Sequence, residues 1–205
     1  MLPSIAFLLA ALVLAVTPGP GIAYVVARTA AGGRAEGLAS CVGTGLGGLF
    51  HVCAAALGLS VLLAQSATAF TVVKYVGAAY LVYLGVRLLL VKAPVVVGAV
   101  VPGGARRALL EGVLVEALNV KTALFFLAFL PQFLVGGNAP VPQLLVMGTI
   151  CVLLNTLVDV GAVLGAARLL QAGHTARRRA RLLNKVSGVT LVGLGLYVAA
   201  ARRGT

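Results

Sequence analysis

Apolar residues run along this chain in long, nearly unbroken stretches, separated by short clusters of glycine, proline and charge. Six stretches reach the length of about 20 residues that a membrane span needs. They cover roughly 5–27, 38–64, 67–91, 110–134, 143–168 and 182–201. The breakers fall at Gly32-Gly33, at Pro94 with Pro102-Gly103-Gly104, at Gly136-Gly137-Asn138 with Pro140 and Pro142, and at Gly173. Only a few residues around Gln65-Ser66 part the second and third stretches, which predicts a tight helical hairpin. The pattern predicts an all-α membrane protein of about six transmembrane helices. A secretory leader would open with a basic segment, whereas no Lys or Arg precedes Arg28, so the first stretch is expected to remain as a span.

Composition agrees. Of 205 residues, 61% are hydrophobic and 10% charged, against about 25% charged in a soluble domain. That leaves no separate soluble module, and 1–205 reads as a single transmembrane transporter domain. The net charge of +12 is not the basic stripe of a nucleic-acid binder. The basic residues instead sort by loop. Arg28 and Arg34 follow the first span, Arg87, Lys92, Arg106 and Arg107 flank the third loop, and Arg168, Arg177–Arg179, Arg181 and Lys185 flank the fifth. Lys74, Arg202 and Arg203 remain on the opposite side. The positive-inside rule then puts the odd-numbered loops in the cytoplasm and both termini outside, in a bacterial-type cytoplasmic (inner) membrane. The run Arg177–Arg181 is expected to anchor that face on anionic lipid, at about 1 kcal/mol per charge. Cys41, Cys53 and Cys151 are expected to be free thiols.

The third and sixth spans share a pattern, Lys74-x-x-Gly77 then Leu84-Gly85, against Lys185-x-x-Gly188 then Leu194-Gly195. A weaker match sets Thr17-Pro18-Gly19-Pro20 opposite Asn119-Val120-Lys121-Thr122. The chain thus divides into two three-helix repeats, about 1–92 and 108–203. Because three is odd, the second repeat is inverted in the membrane, as in many secondary transporters.

Candidate chemistry gathers where these spans carry polar groups. Thr17-Pro18-Gly19-Pro20 interrupts the first span about 18 Å from its start, near mid-depth. Carbonyls freed there must face protein or a wet cavity, since lipid offers no donors. A broken helix at mid-depth is the usual pointer to a transport site, the plainer reading being a packing kink. In the fourth span Glu111 lies at the cytoplasmic end, with Glu116, Asn119 and Lys121 about 8, 12 and 15 Å deeper. Buried charge costs about 2.5–3.5 kcal/mol even on a lenient scale, so anchoring alone does not explain it. Glu116 and Lys121 sit about 140° apart around the helix, so each is expected to find a partner elsewhere. Asp159 is the only acid of the fifth span, with Asn155 one turn before it on the same face. An isolated intramembrane carboxylate suits a proton carrier, because burial and neighbouring charge move its proton affinity in opposite directions. A structural salt bridge to Lys121 is the alternative. His51 follows Gly43, Gly45, Gly47 and Gly48, which permit close helix packing, and reads as a satisfied core residue rather than a proton relay. Cys53, two residues on, points the other way, so the pair is no metal site.

At these residues the chain resembles the LysE/RhtB family of amino-acid exporters. The resemblance rests on Thr17-Pro18-Gly19-Pro20, the glycine-studded second span, Gly77-Ala78-Ala79-Tyr80-Leu81 with Leu84-Gly85-Val86-Arg87, Asn119-Val120-Lys121 leading into Phe125–Phe133, and Gly193-Leu194-Gly195-Leu196. These pieces cover nearly the whole chain in family order. The resemblance implies efflux of an amino acid such as threonine, homoserine or leucine, driven by protons. One departure stands out: the family pattern reads Asn-Pro-Lys where this chain has Val120, which predicts a fourth helix less broken than usual.

The expected partners are an amino-acid substrate, protons and the lipid bilayer, with no nucleic acid, no metal ligands and no cofactor; a homo-oligomer stays open. The candidate site is Thr17, Pro18, Gly19, Pro20, Glu116, Asn119, Lys121, Asn155 and Asp159. The nearest rival is a divalent-metal exporter, which would cluster His, Cys or carboxylates on facing helices. A thiol-electron carrier would need paired cysteines beside the two breaks, and a passive channel would show flux uncoupled from pH. An intramembrane enzyme is disfavoured, since neither H-E-x-x-H nor G-x-S-x-G occurs.

Overall fold

The computed structural model describes residues 4–65, 67–90, 101–134, 140–171 and 173–200. Within them the chain is helical apart from short turns, with no strand. The elements are α1 (Ile5–Val16), α2 (Pro20–Gln65), α3 (Ala67–Leu90), α4 (Gly104–Ala117), α5 (Val120–Phe129), a 3-10 turn (Leu130–Phe133), α6 (Pro140–Gln171) and α7 (Gly173–Ala200). Ser66, Lys92, the turns at Pro94 and Gly136–Asn138, and Arg202 and Arg203 lie outside the described residues.

Among the described residues three helices are long and apolar enough to cross a membrane, or four if α4 and α5 count as one bent span. The first of these, inside α2, is 39 residues long. At 1.5 Å per residue, a straight helix of that length would run about 58 Å, nearly twice a hydrocarbon core of about 30 Å. It is not straight. Gly33 breaks the helical path with φ 76° and ψ −170°, a backbone region that glycine enters without steric cost. Beyond it Gly37 packs on the Thr29 side chain, Cys41 joins Val25 in one buried cluster, and Gly21 lies by Thr44. These residues pair symmetrically about Gly33, so the two legs of α2 lie antiparallel.

Glycines let the helices approach closely. Gly43 and Gly47 lie against the carbonyls of Leu109 and Val113, so the second leg of α2 runs parallel to α4. Gly45 and Gly48 meet Thr156 and Val152, while Gly148 meets Val52, so the same leg runs antiparallel to α6. Gly85 faces the Gly188 carbonyl and Gly195 the Ala78 carbonyl, which makes α3 and α7 antiparallel neighbours. A Cβ at Gly43, Gly47, Gly85, Gly188 or Gly195 would lie under 3.0 Å from a facing backbone carbonyl.

The core gathers around α5. Phe125, Phe129 and Phe133 recur every four residues and stack, with ring centroids 4.6 and 4.7 Å apart, and Phe7 closes on Phe133 at 5.6 Å. On α1, Phe7, Ala11 and Leu14 face inward, while Ile5, Leu8, Leu9 and Leu12 stay exposed. So many large apolar side chains on the outer surface would be a liability in water and fit a hydrocarbon solvent.

The α4–α5 break corrects one expectation. The two helices bend by 46° although no proline stands there. Asn119 takes an extended conformation (φ −76°, ψ 96°) and its side chain caps α5 by accepting from the Lys121 amide at 3.1 Å. A capping side chain thus makes a break that the sequence pattern tied to proline.

Candidate functional site

The α1 break starts from missing donors. Residues 18 and 20 would, in a continuous helix, donate to the carbonyls of Leu14 and Val16; both are proline and have no N–H. Thr17, forced to extended geometry before Pro18, ends α1 and turns its hydroxyl back to the Val13 carbonyl at 2.6 Å. The Leu14 carbonyl, and that of Thr17 where the helix ends, find a cation. Lys121 Nζ, reaching across from α5, donates to the carbonyls of Thr17 at 3.0 Å and Leu14 at 3.3 Å. Gly19 makes room for this ammonium, since a Cβ there would sit 3.0 Å from Nζ.

Glu116 is the other fixed point. Its carboxylate accepts from Asn119 Nδ2 at 2.9 Å and Thr122 Oγ1 at 2.6 Å, and its backbone carbonyl accepts from His51 Nε2 at 2.7 Å. A carbonyl only accepts, so this His51 nitrogen carries the proton. As expected, His51 is a satisfied buried residue, packed edge-on against Phe126. It also holds a carbonyl at the break. Gly21 keeps the space beside Glu116 open, as a Cβ there would lie 2.7 Å from Oε2.

Asp159 is buried on α6 and accepts from Thr44 Oγ1 at 3.1 Å. It makes no ion pair with Lys121; the described ion pairs are Arg28–Glu36, Arg28–Glu111 and Arg107–Glu111. Thr17, Glu116, Asn119, Lys121, Asn155 and Asp159 instead line one small cavity of about 20 Å³, enough for a single water. Pro18, Gly19 and Pro20 line a second, much larger cavity of about 550 Å³, walled mainly by apolar side chains of α3, α4 and α7. Thr17, Asn119 and Lys121 border both. All nine candidate residues therefore lie at this junction.

Sequence reasoning missed two features. Thr44, the lone hydroxyl among Gly43, Gly45, Gly47 and Gly48, is the partner that isolated Asp159 required. The larger omission is a buried ionic cluster. Arg28, counted above among loop charges, is 1% exposed. Its guanidinium donates to Glu36 at 3.1 Å, to Glu111, to Tyr24 Oη at 3.0 Å and to the Val101 carbonyl at 3.1 Å. Glu36 in turn accepts from the amides of Gly103 at 3.0 Å and Gly104 at 2.7 Å. Glu111 also takes Arg107 at 2.7 Å, so it is both the interfacial charge expected and half of an inner pair. The signal available was Glu36, an acid set just past the Gly33 turn.

Comparison with known proteins finds membrane proteins of similar length. An uncharacterized membrane protein of Vibrio cholerae is 32% identical over 97% of both chains. The homoserine/homoserine lactone efflux protein of Salmonella typhimurium is 28% identical over 96% of both. The leucine efflux protein of Salmonella choleraesuis is 26% identical over 94% of this chain and 92% of its own. No solved structure is significantly similar. The LysE type translocator profile matches residues 12–202, and the chain belongs to that family.

Proposed function

We propose that this chain exports amino acids across the cytoplasmic membrane as a proton-coupled secondary transporter of six spans. The observation that carries the reading is the meeting of two broken helices, with a cation from one on the freed carbonyls of the other and two buried carboxylates beside it. Broken helices present free carbonyls to an ammonium group, and the larger cavity offers Leu84, Leu88, Val115 and Leu191 to an aliphatic side chain. The efflux relatives named for homoserine and leucine support the same substrate class.

Asp159 supports the proton. Thr44 Oγ1 stands 3.1 Å from both Asp159 Oδ2 and the Cys41 carbonyl, yet a hydroxyl has one proton to give. With Asp159 protonated, the acid donates to Thr44 and Thr44 to Cys41, and all three are satisfied. With Asp159 ionised, Thr44 turns its proton to the carboxylate while the Cys41 carbonyl keeps its helical donor, so the site accommodates both forms. Among the described residues no three His, Cys, Asp or Glu side chains converge, which favours amino acids over a divalent metal.

The helix directions support six spans in two inverted repeats. The hairpin at Gly33 divides α2 into two antiparallel legs, and the second leg runs parallel to α4 and antiparallel to α6, as alternating spans would. The motif glycines Gly85 and Gly188 meet where α3 and α7 cross antiparallel. Topology is read from reporter fusions at Thr205 and within 171–180, which are expected in opposite compartments, the C-terminus outside. A cytoplasmic C-terminus would overturn this reading.

The function is tested in proteoliposomes loaded with labelled leucine, homoserine, threonine and divalent metals. Efflux of at least one amino acid, accelerated by an imposed pH gradient, is the expected result. Metal efflux with no amino-acid efflux would favour the rival.

A further inference from the structure

We infer that the Leu14 and Thr17 carbonyls form a subsite for the substrate's amino group, and that Lys121 is its tethered occupant, displaced when substrate binds. The inference deepens the export reading and rests on it for the identity of the ligand.

Four observations lead there. Pro18 denies the Leu14 carbonyl its i+4 helical donor, Thr17 ends the helix, and an ammonium group already sits on the carbonyls of both, at 3.3 and 3.0 Å. That ammonium is held by neutral dipoles and by no carboxylate, although Glu116 and Asp159 line the same cavity. A carboxylate adds Coulomb attraction that a neutral carbonyl lacks, so a lysine held by carbonyls alone has stronger partners lining the same cavity. Gly19 supplies the space the ammonium occupies, and the only substituent there is hydrogen. Finally, Thr17 and Lys121 also border the cavity of about 550 Å³, so a ligand entering that space meets Thr17 and the Lys121 side chain.

An α-amino acid carries the same group as a lysine tip, a primary ammonium with three N–H donors. Substrate and Lys121 therefore compete for one site. When substrate takes the carbonyls, the Lys121 ammonium is released toward Glu116 and Asp159. A substrate-dependent cation beside Asp159 favours its ionised form and the release of its proton. One displacement thus links occupancy to proton loss.

Two measurements test this. In Lys121→Ala the vacated carbonyls should accept a small primary ammonium. Ethylammonium chloride should raise the melting temperature of the purified variant by several degrees, and tetramethylammonium chloride, which has no N–H, should not. The wild type should show no comparable shift. In Lys121→Ala combined with Pro18→Ala the ethylammonium effect should shrink or vanish, because residue 18 regains an N–H for Leu14. The second measurement uses the wild type, so it stands even if the variant does not fold. Amine-selective labelling of Lys121, normalised to Lys185, should rise severalfold with saturating leucine. Equal responses to the two ammonium salts, or Lys121 labelling unchanged or lowered by leucine, would overturn the inference. The ethylammonium arm does not depend on what is exported: a protein that exports no amino acid yet binds ethylammonium only without Lys121 contradicts the transport reading alone.

Discussion

Asp159→Asn is expected to keep the fold and remove the acceleration of export by a pH gradient. Asparagine preserves the side chain's size and still accepts from Thr44, so packing around α6 should survive. It cannot exchange a proton. One pH unit is worth about 1.4 kcal/mol, or about tenfold in accumulation, to a carrier that moves one proton per cycle. The variant should lose about that factor, measured as efflux from proteoliposomes with and without a gradient. Lys121→Ala should be more harmful alone than together with Asp159→Asn, because the single change leaves Glu116 and Asp159 in one cavity with no cation. Normal export by Asp159→Asn, with unchanged pH dependence, would make Asp159 a structural residue only.

Arg28→Met should have the largest effect on stability. It removes the cation that Glu36 and the inner oxygen of Glu111 share, leaving Glu36 with the Gly103 and Gly104 amides alone and Glu111 with Arg107. Removing one partner of a buried pair costs far more than replacing the whole set by neutral groups. Recovery of monodisperse protein should fall by about tenfold or more, each tenfold corresponding to about 1.4 kcal/mol. The triple variant Arg28→Met, Glu36→Gln, Glu111→Gln should recover much of it. Size-exclusion profiles of the two variants make the comparison. Equal losses in both would mean that packing of the arginine stem, rather than charge balance, holds this corner.

What the sequence reveals here is whatever leaves a mark within one span. Hydropathy marks apolar runs, so the helices are legible. Prolines in an apolar run mark the α1 break, and lone polar residues mark Glu116, Asn119, Lys121 and Asp159. Partnership leaves no such mark. Arg28, Glu36 and Glu111 meet only because the chain folds back at Gly33 and α4 packs beside it, so a reading by loops assigns Arg28 to the cytoplasmic surface. Val120 misled in the opposite sense. A rule tied to proline foresees a straighter helix, whereas the break here is made by a side-chain cap.

That cap has a consequence for motion. The break in α1 is permanent, since no rearrangement gives Pro18 or Pro20 an amide proton. The break between α4 and α5 is a latch. Val120 and Lys121 keep their N–H groups, which a straight helix would aim at the carbonyls of Glu116 and Ala117. Three hydrogen bonds hold them off, the Asn119 side chain on the Lys121 amide, and the Asn119 amide and His51 on the Glu116 carbonyl, each worth about 0.5–1.5 kcal/mol net. Thermal energy can open a latch of that strength within a transport cycle. One break is therefore fixed by the chain itself, and the other is held by bonds that can be broken and remade.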